Sequence, residues 1–335
     1  MKNIIFIVVA IFLFSCNNKN IENKTQYIKN AGFAHGTTYH IIYKSDTNLI
    51  RNLEEQMHNV DKSLSTFDSL STISRVSKND TTVTLDTMFV KVFNEGKRVY
   101  KITGGAFDMT VANLVNAWGF GFKKFANIDT NFIDSLLRYV GFDKINIVNN
   151  KIIKQNKAIT LDASAIAKGY SVDVVSKYLE SQGITDYLVE IGGEVRTSGV
   201  NENNEKWRIG IDKPIDDSLA IDEQIQQIIE LQGKAIATSG DYRKFYYKNG
   251  IKYSHTINPK TGFPVNHNLL SASVIANNCM TADAFATGFM VLGVEKSMAI
   301  ASKDTSIDIY LIYSDKNDSL QVKMTDGFKK YLIKE

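Results

Sequence analysis

Residues 158–191 read AITLDASAIAKGYSVDVVSKYLESQGITDYLVEI, and this stretch frames the fold question. Ala158–Leu161 is a short β-prone run that ends on an acid, Asp162. Small residues then open a helix expected from about Ser164 to Gln182, which Gly183 closes. Tyr187–Ile191 returns to a strand. Taken alone, a strand, a helix and a strand fit a doubly wound sheet; the flanking sequence argues otherwise. Upstream, a strand at Tyr39–Tyr43 precedes a helix with Leu49, Leu53, Met57, Val60 and Leu64 at helical spacing and Asp46 or Thr47 as its cap. A second helix starts near Asp86, runs through Phe89, Val92, Phe93 and Val99, and stops at Thr103-Gly104-Gly105. A third has Thr130 as cap, carries Phe132, Ile133, Leu136, Leu137 and Val140, and stops at Gly141; a short β run covers Ile145–Val148. Downstream, strands dominate at Trp207–Ile211, Ile228–Leu231, Ser271–Ala276 and Ile307–Tyr313, with one helix, Met280–Leu292, among them. Such irregular interleaving points to a mixed α+β fold.

The chain has 335 residues, 44% of them hydrophobic and 22% charged, enough apolar content for one large domain or two closely packed ones. Lys+Arg 39 against Asp+Glu 36 is too even, and too scattered, for a nucleic-acid partner. The N-terminus departs from this average. Lys2 precedes an uncharged apolar run from Ile4 to Phe14, too short for a membrane span and of the length of a signal-peptide core. Leu13-Phe14-Ser15-Cys16 resembles a lipobox, so residues 1–15 read as a lipoprotein signal peptide and Cys16 as the lipidated residue; an ordinary secretory signal with an incidental cysteine is the alternative. Residues 16–30, rich in Asn and Lys, read as a flexible tether, and 31–335 as one domain. With Cys16 carrying lipid, Cys279 has no disulfide partner, and the domain rests on its core.

Several signatures are missing: GxxxxGK followed by Ser or Thr, GxGxxG after a strand, HExxH, and GxSxG. P-loop enzymes, dinucleotide dehydrogenases, zinc proteases and α/β-hydrolases are disfavoured accordingly. Four polar, glycine-bearing blocks remain. The first runs from Gly104-Gly105-Ala106-Phe107-Asp108-Met109-Thr110 to Trp118-Gly119-Phe120-Gly121. Its glycines let main-chain amides approach a ligand, and Phe107 and Trp118 offer flat surfaces for a ring; a turn with core aromatics fits equally. In the second, Asp162 through Tyr170, a helix N-terminus and Lys168 together favour an anion, and the small residues Ala163 to Ala165 leave carbonyls open to a hard cation. A capping Asp162 and a solvated Lys168 are the simpler account. The third joins Thr238-Ser239-Gly240-Asp241-Tyr242-Arg243 to Ser254-His255-Thr256-Ile257-Asn258-Pro259-Lys260-Thr261-Gly262-Phe263-Pro264, a turn entered by a strand bearing His255. Histidine suits general-base work near neutral pH, although a lone histidine is more often structural. The fourth is Cys279 through Gly288, where Asp283 and Thr287 share one helix face. A carboxylate and a hydroxyl there suit Mg2+ shared with phosphate, or equally local helix bonding.

In this order the blocks resemble the ApbE family of FAD:protein FMN transferases. The resemblance extends from about Gly32 to near the C-terminus and is most specific at Gly105-Ala106-Phe107-Asp108, Asp162–Gly169, Ile191-Gly192-Gly193-Glu194, Thr238–Arg243, Ser254–Pro264 and Met280–Thr287. It implies a single mixed catalytic domain with mostly antiparallel strands. It also implies FAD held at Ala106, Phe107, Asp108, Asp162 and Lys168, and Mg2+ at the Ala165 carbonyl, Asp283 and Thr287. His255 takes the position that deprotonates an acceptor threonine. The family's Met-Gly-Thr stands here as His35-Gly36-Thr37 and its Ser-Thr-Tyr as Ser65-Thr66-Phe67, so His35 and Phe67 become the FAD contacts there, Phe67 without a phenol hydroxyl.

The implied reaction is Mg2+-dependent transfer of FMN from FAD to a threonine of an acceptor flavoprotein, such as a membrane redox-pump subunit, with release of AMP. The same site with water as acceptor would be an FAD pyrophosphatase; a flavin-binding lipoprotein without catalysis is a third reading. The implied setting is an exported protein, lipid-anchored to a bacterial membrane with its domain facing the periplasm.

Overall fold

The computed structural model describes residues 26–121, 129–215, 224–241, 245–248 and 251–333. In chain order these form β1 (Gln26–Ala34), β2 (Thr37–Ser45), α1 (Ile50–Leu64), α2 (Thr72–Ser77), α3 (Thr87–Ile102), α4 (Ala112–Ala117), α5 (Thr130–Leu137), β3 (Ile145–Val148), β4 (Lys151–Lys154) and α6 (Ala167–Ser181). There follow β5 (Tyr187–Ile191), β6 (Glu194–Ser198), β7 (Trp207–Asp212), β8 (Ile225–Leu231), β9 (Ala235–Gly240), β10 (Phe245–Lys248) and β11 (Ile251–Ser254). The chain ends with β12 (Leu269–Ala276), α7 (Cys279–Leu292), α8 (Val294–Ala301), β13 (Asp308–Ser314) and β14 (Leu320–Met324).

The scaffold is an eight-stranded sheet in the order β1-β2-β5-β6-β9-β12-β13-β14, and each neighbouring pair runs antiparallel. The expected α+β class is therefore what the chain adopts. The doubly wound alternative fails at its first strand. Among the described residues, 158–161 pair with no strand: Ile159 N donates to Asn156 O, Leu161 N to Ser77 Oγ, and Asp162 N to Met109 O.

One face of the sheet carries the helices. Ala272, Val274 and Ala276 of β12 point into the main core with Phe285 and Phe289 of α7, whereas Ile275 points to the opposite face, the period-2 alternation of a strand. That opposite face is covered by β7 and β8 with Phe328 and Tyr331. Helix α7 is apolar nearly all round and buried nearly throughout, as a central helix must be. Beside it, α6 packs on β5 and β6. A smaller core of Leu114, Trp118, Ile133, Val140 and Ile257 joins the first glycine block to the turn after β11.

Several expected boundaries move. The cap position of α1 is Leu49, which makes no side-chain bond; Asn48 Oδ1 just before it accepts from Ile50 N, while Thr47 Oγ1 donates to Asp46. Asp129 rather than Thr130 caps α5, and α6 begins at Ala167 because Ser164–Ile166 form a turn. Residues 26–30, expected in the tether, are strand β1, an exposed edge strand that takes its order from pairing with β2. The short helices α2, α4 and α8 and the strands β4, β6, β9, β10 and β14 were not legible in the sequence. The expected signal peptide, Cys16 and the tether up to residue 25 lie outside the described residues, as do Tyr242 and Arg243. Among the described residues no helix is long and apolar enough to cross a membrane.

Candidate active site

The second and fourth blocks meet where α6 begins. Asp162 Oδ1 accepts from Ser164 N at 2.7 Å, which sets the turn carrying Ala165 into the helix. One helical turn past Ala165, Gly169 N donates to Asp283 Oδ2 of α7 at 3.0 Å. This approach needs a glycine: a Cβ at residue 169 would lie 2.7 Å from Asp283 Cβ and collide with the Cys279 carbonyl. Thr287, a turn further along α7, lies 3.2 Å by its Oγ1 from Ser239 Oγ on β9. Its neighbour Gly288 faces the main chain of the first block, with Phe107 N 3.7 Å from an ideal Cβ.

Lys168 completes this corner, but not as a solvated residue. Its ammonium pairs with Glu194, a carboxylate only 3% exposed at the start of β6. The β5–β6 turn makes this possible. Gly192 (φ 61°) and Gly193 (φ 96°) reverse the chain in the left-handed region, and a Cβ at Gly192 would press within 3.2 Å of Lys168 Cδ. Two buried carboxylates thus share one ammonium. Burial raises Glu194 above the ordinary carboxylate range, with Lys168 pulling the other way and the Asp283 charge adding to the rise. Burial also raises Asp283, against the opposing pull of Lys168 and the Gly169 N–H. Burial works against the Lys168 charge, but Glu194 and then Asp283 outweigh it and hold its pKa above the ordinary value. The pocket is short of positive charge.

That shortage, and the oxygen chemistry of Asp283, Thr287 and the Ala165 carbonyl, fit a hard divalent cation. Among the described residues no three His, Cys, Asp or Glu side chains gather. A set with a single carboxylate is what a cation sharing its ligands with phosphate needs.

The first block contributes differently from its sequence reading. Phe107 is 1% and Trp118 4% exposed; the Phe107 ring lies in the main core, and Trp118 stacks on Tyr253 and donates its Nε1 to Gly262 O. Neither ring is presented to a ligand, so Ala106 and Phe107 have main-chain atoms to offer. Asp108 accepts from Thr110 N, Thr110 Oγ1 and Phe142 N, and burial, only partly offset by these bonds, pushes it up to about 6. It orders the loop that displays residues 106 and 107.

The third block closes over the first. Lys260 Cε lies 3.7 Å from an ideal Cβ at Gly105, and Gly262 (φ 75°) accepts the bond from Trp118. His255 follows β11 directly, edge-on to Phe120 with ring centroids 6.3 Å apart. At the far edge of the helical layer Phe67 is exposed. His35, on a left-handed backbone (φ 53°), is held at both ring nitrogens, Nδ1 by Asp61 and Nε2 by Ser171, each at 2.7 Å. It can offer a ligand its ring but has no free nitrogen.

Parts of these blocks thus meet in space: Gly169 with Asp283, Ser239 with Thr287, Lys168 with Glu194, Gly288 with Phe107, and Lys260 with Gly105. A sequence profile of the ApbE family matches residues 35–311. The chain belongs to the ApbE family. A FAD:protein FMN transferase of Vibrio cholerae is 36% identical to it over 342 residues, covering 99% of this chain and 97% of the relative. One of Haemophilus influenzae is 35% identical, covering 98% and 97%. The solved flavin transferase ApbE from Vibrio cholerae superposes with a TM-score of 0.83 over 92% of this chain and all of that one, at 36% identity. Within this ApbE-family site, sequence reasoning assigned no role to Glu194, Ser239, Asp173 or Arg196. The first stood in view in the Ile191-Gly192-Gly193-Glu194 motif, a polar residue directly after a double glycine.

Proposed function

We propose that this chain is a FAD:protein FMN transferase that moves FMN from FAD to a threonine hydroxyl of an acceptor flavoprotein and releases AMP. The observation that carries the reading is the bond from Gly169 N to Asp283 Oδ2, which joins a buried carboxylate to an anion-favouring helix start. Asp162, Lys168 and the main chain at Ala106, Phe107 and Asp108 would hold FAD, with Phe67 and the His35 ring at the outer end. The Ala165 carbonyl, Asp283 and Thr287 would hold Mg2+, which when bound polarises the diphosphate and neutralises charge on the leaving AMP. Lys168 adds positive potential; of the first N–H groups of α6, Ala167 N is taken by Ala163 O and Gly169 N by Asp283. His255 takes the threonine proton as the hydroxyl oxygen bonds to the FMN phosphorus and the bond from that phosphorus to the AMP oxygen breaks. Residues 1–15 act as an export signal and Cys16 carries lipid, which tethers the domain on the periplasmic side of a membrane, where acceptors such as redox-pump subunits lie.

Asp283→Ala is expected to lower transfer by about a thousandfold, the scale of losing one preorganised charge-stabilising group, with circular dichroism unchanged. Near-normal transfer by that variant, given FAD, Mg2+ and an acceptor, would refute the metal assignment. Mass spectrometry with and without the acceptor distinguishes the chemistry: FMN on the acceptor supports transfer, and free FMN alone means that water is the acceptor.

A further inference from the structure

The Lys168 ammonium has two buried carboxylates within electrostatic reach and ion-pairs with only one of them, Glu194. Asp283 instead meets the backbone of the next residue, Gly169. The choice is built into the β5–β6 turn, since Gly192 accepts the lysine stem and Glu194, two residues on, accepts its head. Lysine has a flexible stem and a compact charge, and the two carboxylates within its reach are buried, where a charge left unpaired is costly. Were Glu194 neutral, the remaining carboxylate for Lys168 in this pocket would be Asp283.

Building on the metal reading above, we propose that Glu194 is a positioning residue: it holds the Lys168 ammonium off Asp283 and so keeps that carboxylate available to the divalent cation. Glu194 touches neither the cation nor FAD in this role. It acts through Lys168. The consequence is a coupling that a simple charge effect lacks. If Glu194 merely lent the pocket negative potential, neutralising it would weaken cation binding by the same factor whether or not Lys168 were present. If it restrains Lys168, the effect disappears once the ammonium is gone.

The test is Mn2+ binding to FAD-free protein, followed by electron paramagnetic resonance, for wild type, Glu194→Gln, Lys168→Met and the double variant. Glu194→Gln keeps the shape of the side chain, and Glu194→Asp, which keeps its charge, reports on the fold and should bind nearly as wild type does. Glu194→Gln is expected to weaken Mn2+ binding about tenfold in the wild-type background and less than about twofold in the Lys168→Met background, a coupling of ordinary size for contacting residues. Equal factors in the two backgrounds, or no weakening by Glu194→Gln, overturn the inference alone. Mn2+ binding that survives Asp283→Ala unchanged overturns the inference together with the metal reading beneath it.

Discussion

Two buried ionic clusters lie side by side between β6 and the helices above it, and they differ in how completely their charges are met. Glu194 and Arg196 sit two apart on β6 and face α6 together. Arg196 pairs with Asp173 at 3.1 Å and Glu180 at 2.9 Å, while the Asp173 carboxylate also accepts from Cys279 N and Met280 N, both at 2.9 Å. Within that cluster Asp173 is saturated and ties down the N-terminus of α7, while Glu180 lies at the exposed rim. At the neighbouring cluster, Glu194 and Asp283 divide one ammonium, and Asp283 accepts a single hydrogen bond among the described residues. The same kinds of side chain thus build a structural joint in one place and, a few residues away, a pair of carboxylates with a single ammonium between them.

Stability separates the two clusters most strongly. Arg196→Leu should cost about 3–5 kcal/mol, since it strands a buried carboxylate; a loss below about 1 kcal/mol in urea denaturation would mean that the joint is not what holds α7. At the other cluster the order reverses. Asp283→Ala, expected to be severe for transfer, should change the stability of metal-free protein by no more than about 1 kcal/mol, because it removes a buried charge that is poorly paired to begin with.

Asp108, like Asp173, is fully hydrogen-bonded, and its effect on stability is smaller. Three hydrogen bonds satisfy it, yet burial raises its carboxyl from 3.8 to about 6. The native state therefore binds its proton more tightly than the unfolded chain does. Its contribution is fullest below the unfolded value of 3.8 and is lost as pH rises through about 6. Stability measured across that window should fall with rising pH and flatten in Asp108→Asn; an unaltered slope in the variant would assign the titration elsewhere.

Where local chemistry sets an element, the sequence sufficed. Asp86 caps α3 by accepting from Phe89 N, as its place before an apolar period implied, and Gly104 and Gly105 stop that helix with positive φ. The Asn258–Gly262 turn and helix α7 were legible for the same reason, and so was the pairing of Asp283 and Thr287 on one helix face. Failures came where a remote partner decides. Gln26–Asn30 looks like solvated tether until β2 supplies its hydrogen bonds. Ala158–Leu161 looks like a strand until Ser77 and Asn156 take its amides. Phe107 looks like a ligand platform until the main core claims its ring.

By itself, the sequence determined the family, the α+β class and the residues that could carry the chemistry, because motif order, hydrophobic period and turn residues are properties of neighbouring positions. Which carboxylate Lys168 pairs with, and which one Arg196 pairs with, emerges only from the folded chain. Those partners are brought in by other elements of the sheet and helices, and electrostatic pairing depends on distance through space, which spacing along the chain does not encode.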